Sequence, residues 1–240
     1  MIIALLVLAA PVRAATDSPT GLPVPPGEAS IEDYRQAIDG LREHLQASPG
    51  DYQANWTLAR LLREYAKRIK EEQREGWKEA CARLGKEGMD RAEKASSLRP
   101  DRPEGYYYFG LNAGVYADGA GVVNALSEGL RTKTREAFEK AYQLDPSYDN
   151  GAPLLALAHY WASLPWPLKD GGKALKYCRE YQSSEFYPEV SDGPIQVARI
   201  LIKIDTKDSK NEARALLQNV IAGGGPQLAK KAEHTLSKIR

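Results

Sequence analysis

The sequence is short of the residues that build cross-links and metal centres. It holds two cysteines and three histidines in 240 residues. Cys81 and Cys178 cannot frame a disulfide-rich scaffold. They could pair with each other in an oxidising compartment, or sit as free thiols on the apolar faces of two helical patterns. No CxxC occurs and His44, His159 and His234 are scattered, so no zinc-type ligand spacing is present and no metal or cofactor is expected. An excess of charge of one sign is also missing: 33 Lys+Arg against 32 Asp+Glu leaves +1, which argues against a nucleic-acid binder. Beyond the N-terminus there is no long apolar run, which excludes a polytopic membrane protein.

What is present is an ordinary globular mixture, 42% hydrophobic and 27% charged, long enough for one large domain or two small ones. The chain begins with Met1–Ala10, an apolar run about half the ~20 residues a spanning helix needs. Small residues at Ala14 and Ala15 suit cleavage, so residues 1–14 read as a secretory signal, although the usual positive start is missing. No cysteine follows the cleavage point to take a lipid. The expectation is a soluble, exported, periplasmic protein, with an N-terminal anchor helix as the alternative. Residues 15–30 include TDSPTGLPVPPGE, an extended Pro/Gly-rich linker, and residues 31–240 form the folded domain.

From Ile31 onward apolar residues recur three and four apart and no stretch alternates with period two. Helices are predicted over Ile31–Leu45, Tyr52–Ile69, Trp77–Leu98, Gly105–Ala117, Lys133–Leu144, Pro153–Ser163, Lys173–Tyr181, Gly193–Ile204, Asn211–Ile221 and Gln227–Ile239. Cap residues punctuate them, as in SPGD at 48–51, RPDRP at 99–103 and DPSYD at 145–149. The fold class is all-α.

Two spacings alternate along these helices. One places a small or polar residue before two apolar positions and a closing proline: Gly88, Ala92, Ala95, Pro100, and again Thr134, Phe138, Ala141, Pro146. The other places a small residue directly after a large one: Leu58-Ala59, Phe109-Gly110, Leu157-Ala158, Val197-Ala198. Small positions let antiparallel helices approach and large ones fill the gap, which would stack helix pairs into a solenoid. These residues resemble the tetratricopeptide repeat. The period departs from it: Pro49 and Pro100 lie 51 residues apart and Pro100 and Pro146 lie 46 apart, against about 34 in the standard unit. The surplus falls at 67–88 and 118–133, within pairs, where it should lengthen helices or add elements.

A narrower resemblance covers about residues 98–190. The Gly-rich aromatic helix GYYYFGLNAGVYADG, the DPSYDNG junction and the LPWPL turn at 164–168 are similar to the T-component family of TRAP transporters. That resemblance implies a periplasmic helical-repeat protein partnering a solute-binding protein. Members are often lipid-anchored, and this chain lacks the required cysteine.

No GxSxG elbow, HExxH or GxxxxGK[ST] is present, so an enzyme is not expected. Gly119-Ala-Gly121 reads as a helix break, and Glu71, Glu72 and Glu75 beside Lys70 and Arg74 read as a solvated face. The candidate ligand- or partner-binding residues lie on the first helix of each pair, which lines the concave face of such solenoids. They are Trp56, Arg60 and Arg63, then Tyr107, Tyr108, Asn112 and Tyr116, then His159 and Tyr160. An arginine could clamp a carboxylate while tyrosines stack on an apolar body; the plainer reading makes the aromatics core and the arginines surface. At 100° per residue, Tyr108 and Asn112 share a face with Tyr116 one step along, off the face that Phe109 and Ala113 give to the core. Gly110, Ala113, Gly114 and Ala117 allow close approach of a neighbouring helix or a ligand. Trp166, between two prolines, either caps the core or anchors a partner.

The expected function is therefore non-enzymatic binding in the cell envelope. The occupant would be a protein partner, through the family resemblance a transporter's solute-binding protein, or a small carboxylate or apolar ligand. Nucleic acid is not expected, and self-association is left open. A general repeat scaffold for envelope or secretion complexes is the alternative.

Overall fold

The protein is described by a computed structural model that covers residues 29–189 and 192–239. The segment expected to be a signal and most of the proline-rich stretch thus lie outside the described residues. All the regular structure described is helical: α1 Ile31–Ala47, α2 Tyr52–Glu71, α3 Trp77–Leu98, α4 Pro103–Ala120, α5 Val122–Ser127, α6 Leu130–Leu144, α7 Tyr148–Ser163, α8 Gly171–Gln182, α9 Phe186–Glu189, α10 Gly193–Ile204, α11 Lys207–Gly223 and α12 Pro226–Leu236. The all-α expectation holds, and the ten predicted helices all form. The surplus at 67–88 goes into the length of α2 and α3, and that at 118–133 becomes the short α5 with its flanks.

Local chemistry sets the helix starts. Ser30 caps α1 in a reciprocal box with Asp33, Asp51 accepts the Ala54 N–H at the start of α2, and Asp170 accepts that of Lys173 in α8. Pro103 and Pro226 occupy first-turn positions, where a missing N–H costs nothing. The DPSYDNG junction behaves differently. Asp149, Asn150 and Gly151 take φ of 46°, 56° and 80°, a left-handed turn, so the regular part of α7 begins only at Ala152. Two non-glycine residues there cost roughly 1–2 kcal/mol each.

Helices adjacent in the chain pack on one another, and contacts also link α2 with α4, α4 with α7 and α7 with α10. The core runs along the chain as overlapping clusters. Ile38, Leu41, Leu58, Leu62 and Leu84 fill α1–α3; Tyr107, Phe138, Leu157 and Cys178 fill the middle; Tyr181, Ile195, Leu201 and Leu217 fill the C-terminal third. Both small/large spacings land in these clusters: Ala59, Ala92, Ala141, Ala158 and Ala198 are wholly buried. The α3–α4 pair is the closest. A Cβ on Gly85 would stand 2.5 Å from the Tyr116 backbone nitrogen, and one on Gly105 at 2.5 Å from that of Ser96. Cys81 and Cys178 are both free and buried, in different clusters.

Candidate functional site

A cavity of about 960 Å³ runs across the faces of α2, α4, α7 and α10, with α5 and α6 closing one side. That volume lies within the range of small-molecule sites. Its floor is small and apolar: Gly110, Ala113 and Gly114 from α4, and Ala156 from α7. A Cβ on Gly114 would meet nothing within 4 Å, so this glycine opens onto free space. Charged groups stand around the floor. Arg63 comes from α2, His159 from α7, and Arg199 and Lys203 from α10, while Asp149 and Asn150 come from the left-handed turn.

One polar chain crosses the cavity. Lys203 Nζ donates to Ser163 Oγ at 3.1 Å, and Ser163 lies 3.2 Å from His159 Nδ1. Desolvation by the cavity walls, with the charges of Lys203 and Arg63 nearby, pushes the His159 imidazole down to about 4 although the side chain still reaches solvent, so it is neutral at pH 7. Burial likewise lowers the Lys203 ammonium, and Lys70 and Lys169 add to this. Arg63 is ion-paired with Glu64, its neighbour in the helix.

The residues singled out from the sequence divide into groups. Arg63, Tyr107, His159 and Tyr160 line the cavity. Tyr160 is held as wall, its hydroxyl donating to the Arg131 carbonyl at 2.9 Å and its ring edge-on to Trp161. Trp56, Arg60 and Tyr108 form a separate stack beside it: Trp56 lies flat on Tyr108 at 5.9 Å and 4°, with the Arg60 guanidinium 5.7 Å from the Trp56 ring centre. Tyr116 faces elsewhere and donates to Glu128 at 2.6 Å.

The stripe expected off the core is corrected. Tyr108 is 6% exposed and Asn112 is wholly buried, its amide donating to the carbonyls of Ala59 at 3.0 Å and Tyr108 at 2.8 Å. The physical reason is that α4 is enclosed by α2, α3 and α6, so it has no solvent face of the usual width. α2 and α3 cover Tyr108 and Asn112, with Gly88 of α3 packed directly on the Asn112 side chain, and the segment 118–133 meets only Tyr116, through Glu128. Of the pair assigned to the core, Ala113 is buried and Phe109 only half-buried. Trp166 does not cap the core: it is 89% exposed.

Sequence reasoning missed Gln196, Arg199, Ile200 and Lys203, which line the cavity from α10. Their spacing of three, one and three marks one helix face, and that was the available signal. It also missed the Asp149–Asn150 turn. Among the described residues no group of three or more His, Cys, Asp or Glu could hold a metal ion, and no helix is long and apolar enough to cross a membrane.

A family model described as "Regulator of microtubule dynamics protein 1-3" matches residues 28–178. A search of the curated proteins gives no match.

Proposed function

The chain belongs to the regulator of microtubule dynamics protein 1-3 family, and from that premise we propose that it is a non-enzymatic helical-repeat protein that binds an elongated, largely apolar ligand or peptide bearing an anionic group. The fold behind this reading is a solenoid of antiparallel helix pairs, tetratricopeptide-like with lengthened pairs. It is supported by the chain-order packing of the helices and by α2, α4, α7 and α10 facing one side. The observation that carries the functional reading is the cavity itself: a small-residue floor that a chain can lie along, ringed by Arg63, Arg199 and Lys203, which suit a carboxylate or another anion. His159, neutral at pH 7, adds a hydrogen-bonding group without adding charge.

Anilinonaphthalene sulfonate, apolar and anionic, is a direct probe. The full chain should bind it with an intrinsic fluorescence rise at one site. Gly114→Leu should block it by filling the cavity, and Arg63→Gln should weaken it about tenfold, the worth of one charge-assisted hydrogen bond. Binding unchanged in both variants would end this reading.

The family description names regulation of microtubule dynamics, an action a binding protein can perform, and this favours a protein segment as occupant. The narrower proposal, carried by the LPWPL turn and the Gly-rich α4, is an exported accessory of a TRAP-type transporter whose partner is the solute-binding protein. A general envelope scaffold is its rival. Capture of a solute-binding protein by the full chain, lost on Gly114→Leu, separates the two.

A further inference from the structure

Among the described residues three large hydrophobic side chains are exposed: Val122 at 48%, Val123 at 79% and Trp166 at 89%. All three follow the C-terminal ends of helices that line the cavity, the valines after α4 and the tryptophan after α7. Two polar contacts show that these ends lie together. Lys70, in the last turn of α2, pairs with Asp118 near the end of α4 at 2.7 Å. Lys203, in the last turn of α10, donates to Ser163 at the end of α7. Lys70, Asp118, Ser163 and Lys203 all line the same cavity, which brings the two contacts to one side of the molecule. Val122, Leu164 and Pro165 line the cavity mouth there, so the exposed apolar groups flank that mouth from two sides.

We propose that this edge, carrying Trp166, Val122 and Val123 with Lys169 close to Trp166 in the chain, docks onto an anionic lipid surface. Lys169 has no carboxylate within ion-pair distance among the described residues, so its charge is available to phosphates. Tryptophan and aliphatic tips beside lysines are the composition of a membrane interface, where the ring sits at headgroup depth and lysines meet anionic lipid. A protein partner would have to match two separate projections across an open mouth. A bilayer accepts separate wedges without matching their shape.

The test uses the full chain with phosphatidylcholine vesicles, with and without phosphatidylglycerol, read by co-sedimentation. Wild type should bind the anionic vesicles and lose binding as salt rises. Trp166→Ser should weaken binding about tenfold, from the lost transfer of one large side chain. Val123→Glu should do the same, and Trp166→Phe should restore part of it. Lys169→Gln should weaken binding about fivefold on anionic vesicles alone. None of the three sites is buried, so thermal midpoints should stay at the wild-type value. Three results would overturn the proposal: wild type that ignores both vesicle types, binding through the apolar N-terminus that Trp166→Ser leaves unchanged, or a Trp166→Ser defect seen only with a protein partner. Anilinonaphthalene sulfonate binding should be intact in Trp166→Ser, so this docking edge and the cavity stand or fall separately.

Discussion

Gly110 and Gly114 lie one turn apart on α4, and the structure assigns them opposite roles. A Cβ on Gly110 would overlap the Phe138 ring, with Cδ1 at 2.8 Å and the two atoms beyond it closer still. Phe138 is 5% exposed and packs 6.3 Å from Tyr107, so the ring has nowhere to retreat. Gly110→Leu should therefore sit at the upper end of overpacking costs, about 3 kcal/mol. Replacing a helical glycine returns about 1 kcal/mol of backbone entropy. The net loss is about 2 kcal/mol, or roughly 4–8 °C in thermal midpoint for a domain of this size. Gly114→Leu meets open space, so it should hold or raise the midpoint while closing the cavity to anilinonaphthalene sulfonate. Thermal unfolding followed by far-ultraviolet circular dichroism, with dye titration on the same samples, measures both. A Gly110→Leu midpoint at or above wild type would refute the α4–α6 packing, and a Gly114→Leu protein that binds dye normally would refute the cavity floor.

Asn112→Ala should cost about 1–3 kcal/mol, because a fully buried amide loses both its donated hydrogen bonds; chemical denaturation checks this, and a neutral result would place Asn112 at the surface. Ala158→Leu, at a wholly buried position, should destabilise by about 1–3 kcal/mol in the same assay. The folded His159 pKa of about 4 lies below its ordinary 6.5, so between these values the unfolded chain binds the extra proton. Stability should fall as pH drops from about 6.5 to 4 and level off below, and His159→Asn should flatten that slope, measured as midpoint against pH. N-terminal sequencing of protein exported from its native host should begin between Ala15 and Asp17; an intact Met1 would remove the signal reading.

The helices were legible because their information is local. Apolar residues at three and four, Ser30 and Asp51 as caps and Pro103 in a first turn are read without knowing any neighbour. The small/large alternation was legible too, since Leu58-Ala59 and Val197-Ala198 are buried as their spacing implied. Face assignment on α4 was not. With glycines and aromatics on every side, its sequence has no polar face to orient it, and only its enclosure by α2, α3 and α6 put Asn112 inside. The cavity was half legible. Arg63, Tyr107, His159 and Tyr160 follow from the rule that one helix of each pair faces inward. Gly114 as open floor and Lys203 over Ser163 depend on distances between helices far apart in the chain. The sequence by itself determined that this protein is helical, where its long helices lie to within a few residues, and which small and large positions are buried. Only the tertiary structure decided which polar groups face the cavity and that Val123 and Trp166 stay exposed, because those facts depend on how helices far apart in the chain pack.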